Sequence, residues 1–219
     1  TYRKPAVHFV RLLATATSKG WNILMNVGPM GDGKWDQPDI DVFKKVGEWL
    51  KVYGEAIYGN TKTDLPVQSW GVTTMKGDVT YLHVYDWPEN GELIVGGLTS
   101  DISKAWVVSD KQKKAIKSSR INHKDVMLKL SAHAPDTMNT VIALTLKTKK
   151  DSDPVRLLDP VKKNILYAFD AALSDKKFGY GDGKPNRNFV NNWKNNEQNL
   201  QWSFRLNKAA NYKIYIQYN

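Results

Sequence analysis

Apolar positions in the first 60 residues follow two helical patterns. Apolar side chains three to four residues apart predict a first helix that begins at Pro5 and ends at Gly20, because proline suits a first helical turn and glycine a left-handed cap. A second helix is predicted from Asp36 or Asp39, either of which can cap it, to a point near Gly54. Its predicted buried stripe is Ile40, Phe43, Val46 and Leu50, with Trp49 beside it at the junction with the next domain.

The segment between the two helices alternates in polarity. Residues 21–27 predict a strand with one apolar face and with Asn22 and Asn26 on the other face. A strand of this kind between helices is typical of one unit of an α/β barrel. A single strand lacks a partner for its ladder hydrogen bonds, so residues 1–60 are predicted to need further protein, upstream of Thr1 or in another chain.

Residues 61–150 change to a period of two. Short runs of alternating polarity are separated by turn signals, for example at residues 76–78 and 88–91. Six or more short strands in this stretch predict an antiparallel β-sandwich. The predicted strands are residues 72–75, 79–85, 92–95, 105–108, 126–130 and 141–146.

Residues 151–219 are predicted to form a third region, after a polar linker at residues 147–154. The region has too few predicted strands to close a sheet on itself, and the sequence ends within a strand pattern. We therefore expect only part of a β-sandwich here, continued beyond residue 219. The predicted strands are residues 164–169, 201–206 and 212–218.

Charge and composition narrow the possible partners. The 219 residues carry 32 Lys and Arg against 22 Asp and Glu, a net charge of +10 that is spread along the chain. The densest basic run, residues 111–117, lacks the interleaved aromatic residues of a base-stacking surface, so we interpret it as solvated lysines and expect no nucleic-acid partner. No apolar run approaches the roughly 18 residues of a membrane helix, so no membrane span is expected. The absence of cysteine excludes disulfides and thiol nucleophiles.

Two motifs resemble the α-L-fucosidases of glycoside hydrolase family 29. The run SKGWNILMNVGP at residues 18–29, continuing to Asp32 and Gly33, is similar to the last barrel strand of the family, although Trp21 stands where glycine is more usual. The run VGEWLKVYGEAIYG at residues 46–59 is similar to the helix that follows that strand.

The architecture that the resemblance implies is α+β and multidomain. Residues 1–60 would be the terminal helix-strand-helix unit of a (β/α)8 barrel, and residues 61–150 an antiparallel β-sandwich. Residues 151–219 resemble part of a second, galactose-binding-like β-sandwich.

The resemblance also implies a retaining α-L-fucosidase that hydrolyses terminal α-L-fucose from glycans with two carboxyl groups about 5–5.5 Å apart. In the family, both carboxylates precede the segment matched here, so no catalytic residue is expected in this chain, which by itself should be inactive. The implied partners are a fucosylated glycan and the upstream barrel portion of the same protein, and the implied location is outside the cytosol after export. The alternative is a non-catalytic carbohydrate-binding β-sandwich protein in which the barrel segment is vestigial.

Three residues are candidates for substrate binding. Asn26 lies near the predicted rim, where it could orient a site carboxylate or a sugar hydroxyl, or could be a polar residue of the barrel lining. Asp32 could help to shape the pocket or only form a strand-to-helix turn. Trp193 could stack on a sugar ring. The four histidines lack metal-ligand spacing, so neither a metal nor a cofactor is expected, and His83 is interpreted as a packed core residue.

Overall fold

A computed structural model describes residues 3–147, 151–174, 177–180 and 189–217. The chain divides into two compact units, Thr1–Pro154 and Val155–Asn219.

The first unit contains both predicted helices. Helix α1 is Ala6–Lys19 and ends on Gly20, whose φ of 70° is the left-handed conformation that glycine adopts readily. Helix α2 is Gln37–Tyr53, begins after Asp36 and ends at Gly54, where a short 3-10 helix, Gly54–Ala56, follows. The sequence pattern therefore predicted both helices and their ends.

The buried stripe of α2 differs from the predicted one. Val46, Trp49 and Tyr53 are buried, whereas Leu50 is only half-buried. Trp49 is 2% exposed, so it belongs to the core itself and not to the border of the stripe. The large aromatic side chains at positions 49 and 53 reach the adjacent sheet, and this draws the stripe away from Leu50.

The predicted strand at residues 21–27 is wrong for this structure. The segment pairs with no strand among the described residues, and Asn22 and Asn26 are exposed. Ile23, Met25 and Val27 are half-buried, so the alternation seen in the sequence persists as an alternation of exposure. A strand needs a neighbouring strand to accept and donate its ladder hydrogen bonds, and the described residues supply none here.

Two antiparallel sheets follow the helices. The strands are β1 Thr61–Lys62, β2 Gly71–Lys76, β3 Val79–Val84, β4 Glu92–Gly96, β5 Ile102–Val107, β6 Lys117–Asn122, β7 Asp125–Lys129 and β8 Thr140–Leu146. The five-stranded sheet has the order β1-β2-β3-β8-β5 and the three-stranded sheet the order β4-β7-β6. All six predicted strands are present, and β6, with its polar sequence KSSRIN, was not predicted.

Two buried clusters hold the first unit together, one on each face of the five-stranded sheet. Helix residues and one face of β3, β5 and β8 form the first cluster, which includes Val10, Trp49, Tyr53, Tyr81, Trp106 and Val141. The opposite face of that sheet packs on the three-stranded sheet in the second cluster, which includes Leu82, Leu93, Leu128, Ile142 and Leu144. The unit is therefore layered as helices, five-stranded sheet and three-stranded sheet.

Part of the predicted linker at residues 147–154 is packed on the first unit. The backbone N–H of Asp153 donates to the carbonyl of Gly97 at 2.9 Å, and Ser152 forms an antiparallel bridge with Leu98. Residues 148–150 lie outside the described part of the chain.

The second unit is built from short strand pairs. The predicted strands at residues 164–169 and 212–218 are not strands over their described part, which ends at residue 217, and Ile214, Tyr215 and Ile216 are largely exposed. Two-residue strands replace the predicted strand at residues 201–206. The pairs are β9 Arg156–Leu157 with β14 Phe204–Arg205, β10 Ala172–Leu173 with β13 Leu200–Gln201, and β11 Gly179–Tyr180 with β12 Val190–Asn191.

Candidate functional site

The segment between α1 and α2, residues 20–35, carries two of the three candidate residues. It contains a compact turn in which Met30 donates its backbone N–H to the carbonyl of Lys34 at 2.8 Å. Gly33 donates to the carbonyl of Met30 at 2.9 Å and has a φ of 81°, a conformation that favours glycine. The turn is therefore closed by its own backbone.

Asp32 stabilises this turn. Its Oδ1 accepts the backbone N–H of Lys34 at 3.1 Å, and the Lys34 ammonium lies 3.2 Å from its Oδ2. The backbone hydrogen bond, followed by the Lys34 side chain, holds the pKa of the Asp32 carboxyl below its usual value. The side chain is exposed, so Asp32 is an ionised turn residue in this chain.

Large apolar side chains on the same segment face solvent. We call Trp21, Leu24, Met30 and Trp35 the rim surface; their exposed fractions are 64%, 88%, 44% and 55%. Asn26 lies among them, is exposed, and makes no hydrogen bond to the described residues. Asn26 and Asp32 thus share one segment, while Trp193 belongs to the second unit.

Arg11 attaches α1 to the five-stranded sheet. Its guanidinium donates to the carbonyls of Met138 at 2.9 Å and Tyr85 at 2.8 Å, and lies 5.0 Å from the centre of the Tyr85 ring. The Tyr85 hydroxyl donates in turn to the carbonyl of Arg11 at 3.0 Å. Burial raises the pKa of Tyr85 to about 12, so this hydroxyl remains a donor at neutral pH.

Trp49 attaches α2 to the same sheet. Its indole N–H donates to the carbonyl of Asn139 at 3.0 Å, and its ring stacks on Tyr53 at 5.1 Å between centroids. Asn139 is fully buried at the start of the region leading into β8. Both helices that flank the rim surface are therefore fixed to the sheet by specific hydrogen bonds.

His83 lies beneath these attachments and confirms the prediction of a packed histidine. The Asn139 amide nitrogen donates to its Nδ1 at 3.1 Å, so the ring proton sits on Nε2, 3.0 Å from the Thr74 hydroxyl. The Thr74 hydroxyl in turn donates a hydrogen bond to the carbonyl of Ala56 at 2.9 Å. Burial lowers the pKa of His83 to about 3, and the ring is neutral.

Trp193 forms a second, separate candidate site. Its indole N–H donates to the carbonyl of Val190 at 3.2 Å, and its ring meets the buried Phe178 edge to face at 4.9 Å. About half of the side chain, 51%, remains exposed. The ring is thus fixed along part of its surface and open to solvent over the rest. Residues 181–188 lie outside the described part of the chain.

The described residues contain neither a metal-binding cluster nor a membrane-spanning helix. No group of three or more His, Asp or Glu side chains among them could hold a metal ion. In the same part of the chain, no helix has the length and apolar character needed to cross a membrane.

Comparison with known proteins shows what the rim segment resembles. Residues 2–55 match the family model described as Alpha-L-fucosidase, and this match spans α1, the rim surface and α2. This part of the chain is similar to the alpha-L-fucosidases. The alpha-L-fucosidase of Branchiostoma floridae is 38% identical over 90 residues, which are 40% of this chain and 20% of that protein. The human plasma alpha-L-fucosidase is 34% identical over 93 residues, again 40% of this chain and 20% of the relative.

The fold of about two thirds of the chain is also found in an alpha-L-fucosidase. Isoenzyme 1 of Paenibacillus thiaminolyticus superposes with a TM-score of 0.61 and 32% sequence identity, covering 66% of this chain and 35% of that chain. The chain therefore spans about a fifth of the curated relatives and about a third of this fucosidase structure.

Sequence reasoning missed the residues that attach the helices. Arg11, Asn139 and Thr74 carry no recognisable motif, because their partners are backbone carbonyls and a histidine far away in the sequence. His83 offered the one available signal, a titratable side chain within an apolar strand pattern.

Proposed function

We propose that this chain is the C-terminal portion of a retaining alpha-L-fucosidase that hydrolyses terminal α-L-fucose from glycans, with both catalytic carboxylates supplied by residues upstream of Thr1. The observation that carries the proposal is the coincidence of the family match at residues 2–55 with the rim surface. We further propose that the complete enzyme is exported, which suits a glycan substrate and a relationship to a plasma enzyme.

The rim surface supports a missing barrel neighbour. Burying one large apolar side chain contributes about 1.5–3 kcal/mol, so four exposed ones represent a substantial unused stabilisation. The half-burial of Ile23, Met25 and Val27 leaves residues 21–27 ready to pair as a strand. We propose that upstream barrel strands cover this segment and bring Asn26 to the C-terminal rim, where barrel active sites form.

The domain organisation follows from the same proposal. Residues 1–60 would close the barrel, residues 61–150 would be a β-sandwich made of the two packed sheets, and residues 151–219 would be part of a carbohydrate-binding-like β-sandwich. The shared core of helices and sheet supports a tight junction between the first two parts.

Activity measurements test the proposed enzyme directly. The gene upstream of Thr1 is sequenced, the longer reading frame is expressed, and both proteins are assayed with 4-nitrophenyl α-L-fucoside. We expect activity from the longer protein and none from the 219-residue chain, because the nucleophile and the acid/base are both absent from the latter. Activity in the pure 219-residue chain, or an upstream frame without repeated strand–helix units, would contradict the proposal.

A matched pair of variants tests the covering of the rim surface. Leu24 and Val161 are 88% and 87% exposed in this chain. In the longer protein, Leu24→Lys should lower the thermal midpoint and the activity, because a barrel neighbour would bury the new charge. Val161→Lys should change neither. Equal effects of the two variants would show that nothing covers Leu24.

A binding function for the second unit has one specific observation in its favour. Trp193 presents a partly open ring that Phe178 and Val190 hold in place, and the C–H face of a sugar ring packs well on such a surface. Titration of the chain with free fucose and galactose should quench tryptophan fluorescence in the wild type and in Tyr215→Ala, an exposed-aromatic control, but not in Trp193→Ala. If Trp193→Ala binds the sugars as tightly as the wild type does, Trp193 does not have this role.

A further inference from the structure

Five exposed lysines occupy strand β5, the segment that joins it to β6, and the first position of β6. We call Lys104, Lys111, Lys113, Lys114 and Lys117 the lysine patch. Residues 102–117 contain a single acidic residue, Asp110. The local positive charge is therefore far denser than the chain average.

The backbone brings these lysines together. Ile116 donates its N–H to the carbonyl of Ala105 at 2.8 Å, so the segment returns to the edge of β5 and delivers Lys117 beside it. The carboxylate of Asp110 accepts the N–H groups of Gln112 at 3.0 Å and Lys114 at 2.8 Å. This single carboxylate thus holds the turn on which three of the lysines lie.

Trp106 orders two lysines of the patch. The Nζ atoms of Lys104 and Lys113 lie 5.8 and 5.3 Å from the centre of its ring, where the negative face of an indole attracts a cation. Lys113 also has a φ of 49°, which is uncommon for a residue other than glycine. Two ammonium groups are consequently held close to one ring despite their mutual repulsion.

The patch lacks the ion pairs that its surroundings have. In neighbouring segments, Arg120, Lys124 and Lys129 each pair with a carboxylate, from Asp101, Asp153 and Glu92 respectively. None of the five patch lysines has such a partner among the described residues. Lys117 even lies directly opposite Lys129 in the β6–β7 register. The charge of the patch is therefore available to an external anion.

We propose that the lysine patch binds an acidic polysaccharide, one whose repeating units carry sulfate or carboxylate groups. Short lysine-rich runs suit linear polyanions. Nucleic acid suits the site less well, because Trp106 is 7% exposed and so offers no open ring on which a base could stack. The choice of a polysaccharide over an acidic protein rests on the proposed fucosidase function, whereas the charge argument does not.

Binding of dextran sulfate to the 219-residue chain tests this site. The wild type should bind dextran sulfate and not neutral dextran, with an affinity that falls as salt rises. The double variant Lys104→Gln/Lys113→Gln should bind about tenfold more weakly and with a shallower salt dependence. The control Lys44→Gln/Lys45→Gln removes the same charge from the exposed side of α2 and should bind like the wild type.

Three results would overturn the proposal. They are equal weakening in both double variants, equal binding of neutral dextran, and tighter binding of DNA or polyglutamate than of dextran sulfate at matched charge. Circular dichroism spectra must agree among the proteins, which is expected because all four substituted lysines are exposed. The assay contains no fucose, so its outcome is independent of whether the longer protein is a fucosidase.

Discussion

Lowering the pH from 7.5 to 5 should destabilise the first unit through His83. Burial holds the pKa of this ring at about 3, against an ordinary value of 6.5. Between those two values the unfolded chain binds a proton that the folded chain excludes. The contribution of His83 to the free energy of unfolding is therefore fully present above pH 6.5 and is lost as the pH falls toward 3. The physical cause is that the fully buried ring lacks the water that would stabilise its charged form.

The size of the effect follows from the pKa difference. At about 1.4 kcal/mol per pKa unit, the complete loss is about 5 kcal/mol, reached only near pH 3. About 2 kcal/mol of this should appear between pH 7.5 and pH 5. In that window most carboxylates remain ionised, so the histidine contribution can be separated from acid denaturation.

Urea unfolding at the two pH values measures this loss. The variant His83→Gln keeps a donor for Thr74 and an acceptor for Asn139 but cannot titrate. We expect the wild type to lose about 2 kcal/mol more than the variant between pH 7.5 and pH 5. If the variant does not fold, nitrogen NMR of the wild-type ring gives a second test. The same pH dependence in both proteins, or protonation of the ring above pH 5, would refute the reasoning.

Three further predictions concern the attachment of the helices and the rim surface. Trp49→Ala should lower the free energy of unfolding by about 3–5 kcal/mol, whereas Leu50→Ala, at a half-buried position, should lower it by about 1–2 kcal/mol. A larger loss in Leu50→Ala than in Trp49→Ala, measured by urea titration, would mean that α2 packs on a different face. Arg11→Met should cost about 2–3 kcal/mol, because two half-buried carbonyls lose their charged donor, and a change below 0.5 kcal/mol would contradict the geometry. Amides of residues 22–27 should exchange with solvent much faster than that of Leu82; equal protection would show that the segment is paired.

Helix ends were predictable from the sequence because local chemistry decides them. Gly20 ends α1 through its left-handed backbone conformation. Asp36 and Gly54 stand at the two ends of α2 as expected, although Asp36 makes no capping hydrogen bond through its side chain. The strands with alternating apolar residues were predictable for the same reason. β6 was not, because both faces of its sequence are polar and only its partner β7 makes it a strand.

The candidate site was harder to predict because it depends on contacts distant in sequence. The alternation at residues 21–27 correctly marks one half-buried side, but strand formation requires neighbours that the described residues do not include. Asp32 was predicted as either a pocket or a turn residue, and only its two contacts with Lys34 show the turn. The position of the Trp193 ring likewise rests on an edge-to-face contact with Phe178, which the sequence pattern does not reveal.

The anchoring of both helices on residues that flank β3 and β8 limits how this protein can be recombined. Arg11 and Trp49 precede residue 60, while the carbonyls that they bind belong to Tyr85, Met138 and Asn139. A gene fusion or domain swap that joins sequences near residue 60 would therefore split one core between two parents. Exchange should succeed only when the helices and both sheets are inherited together, so a crossover point near residue 154 preserves folding and one near residue 60 does not.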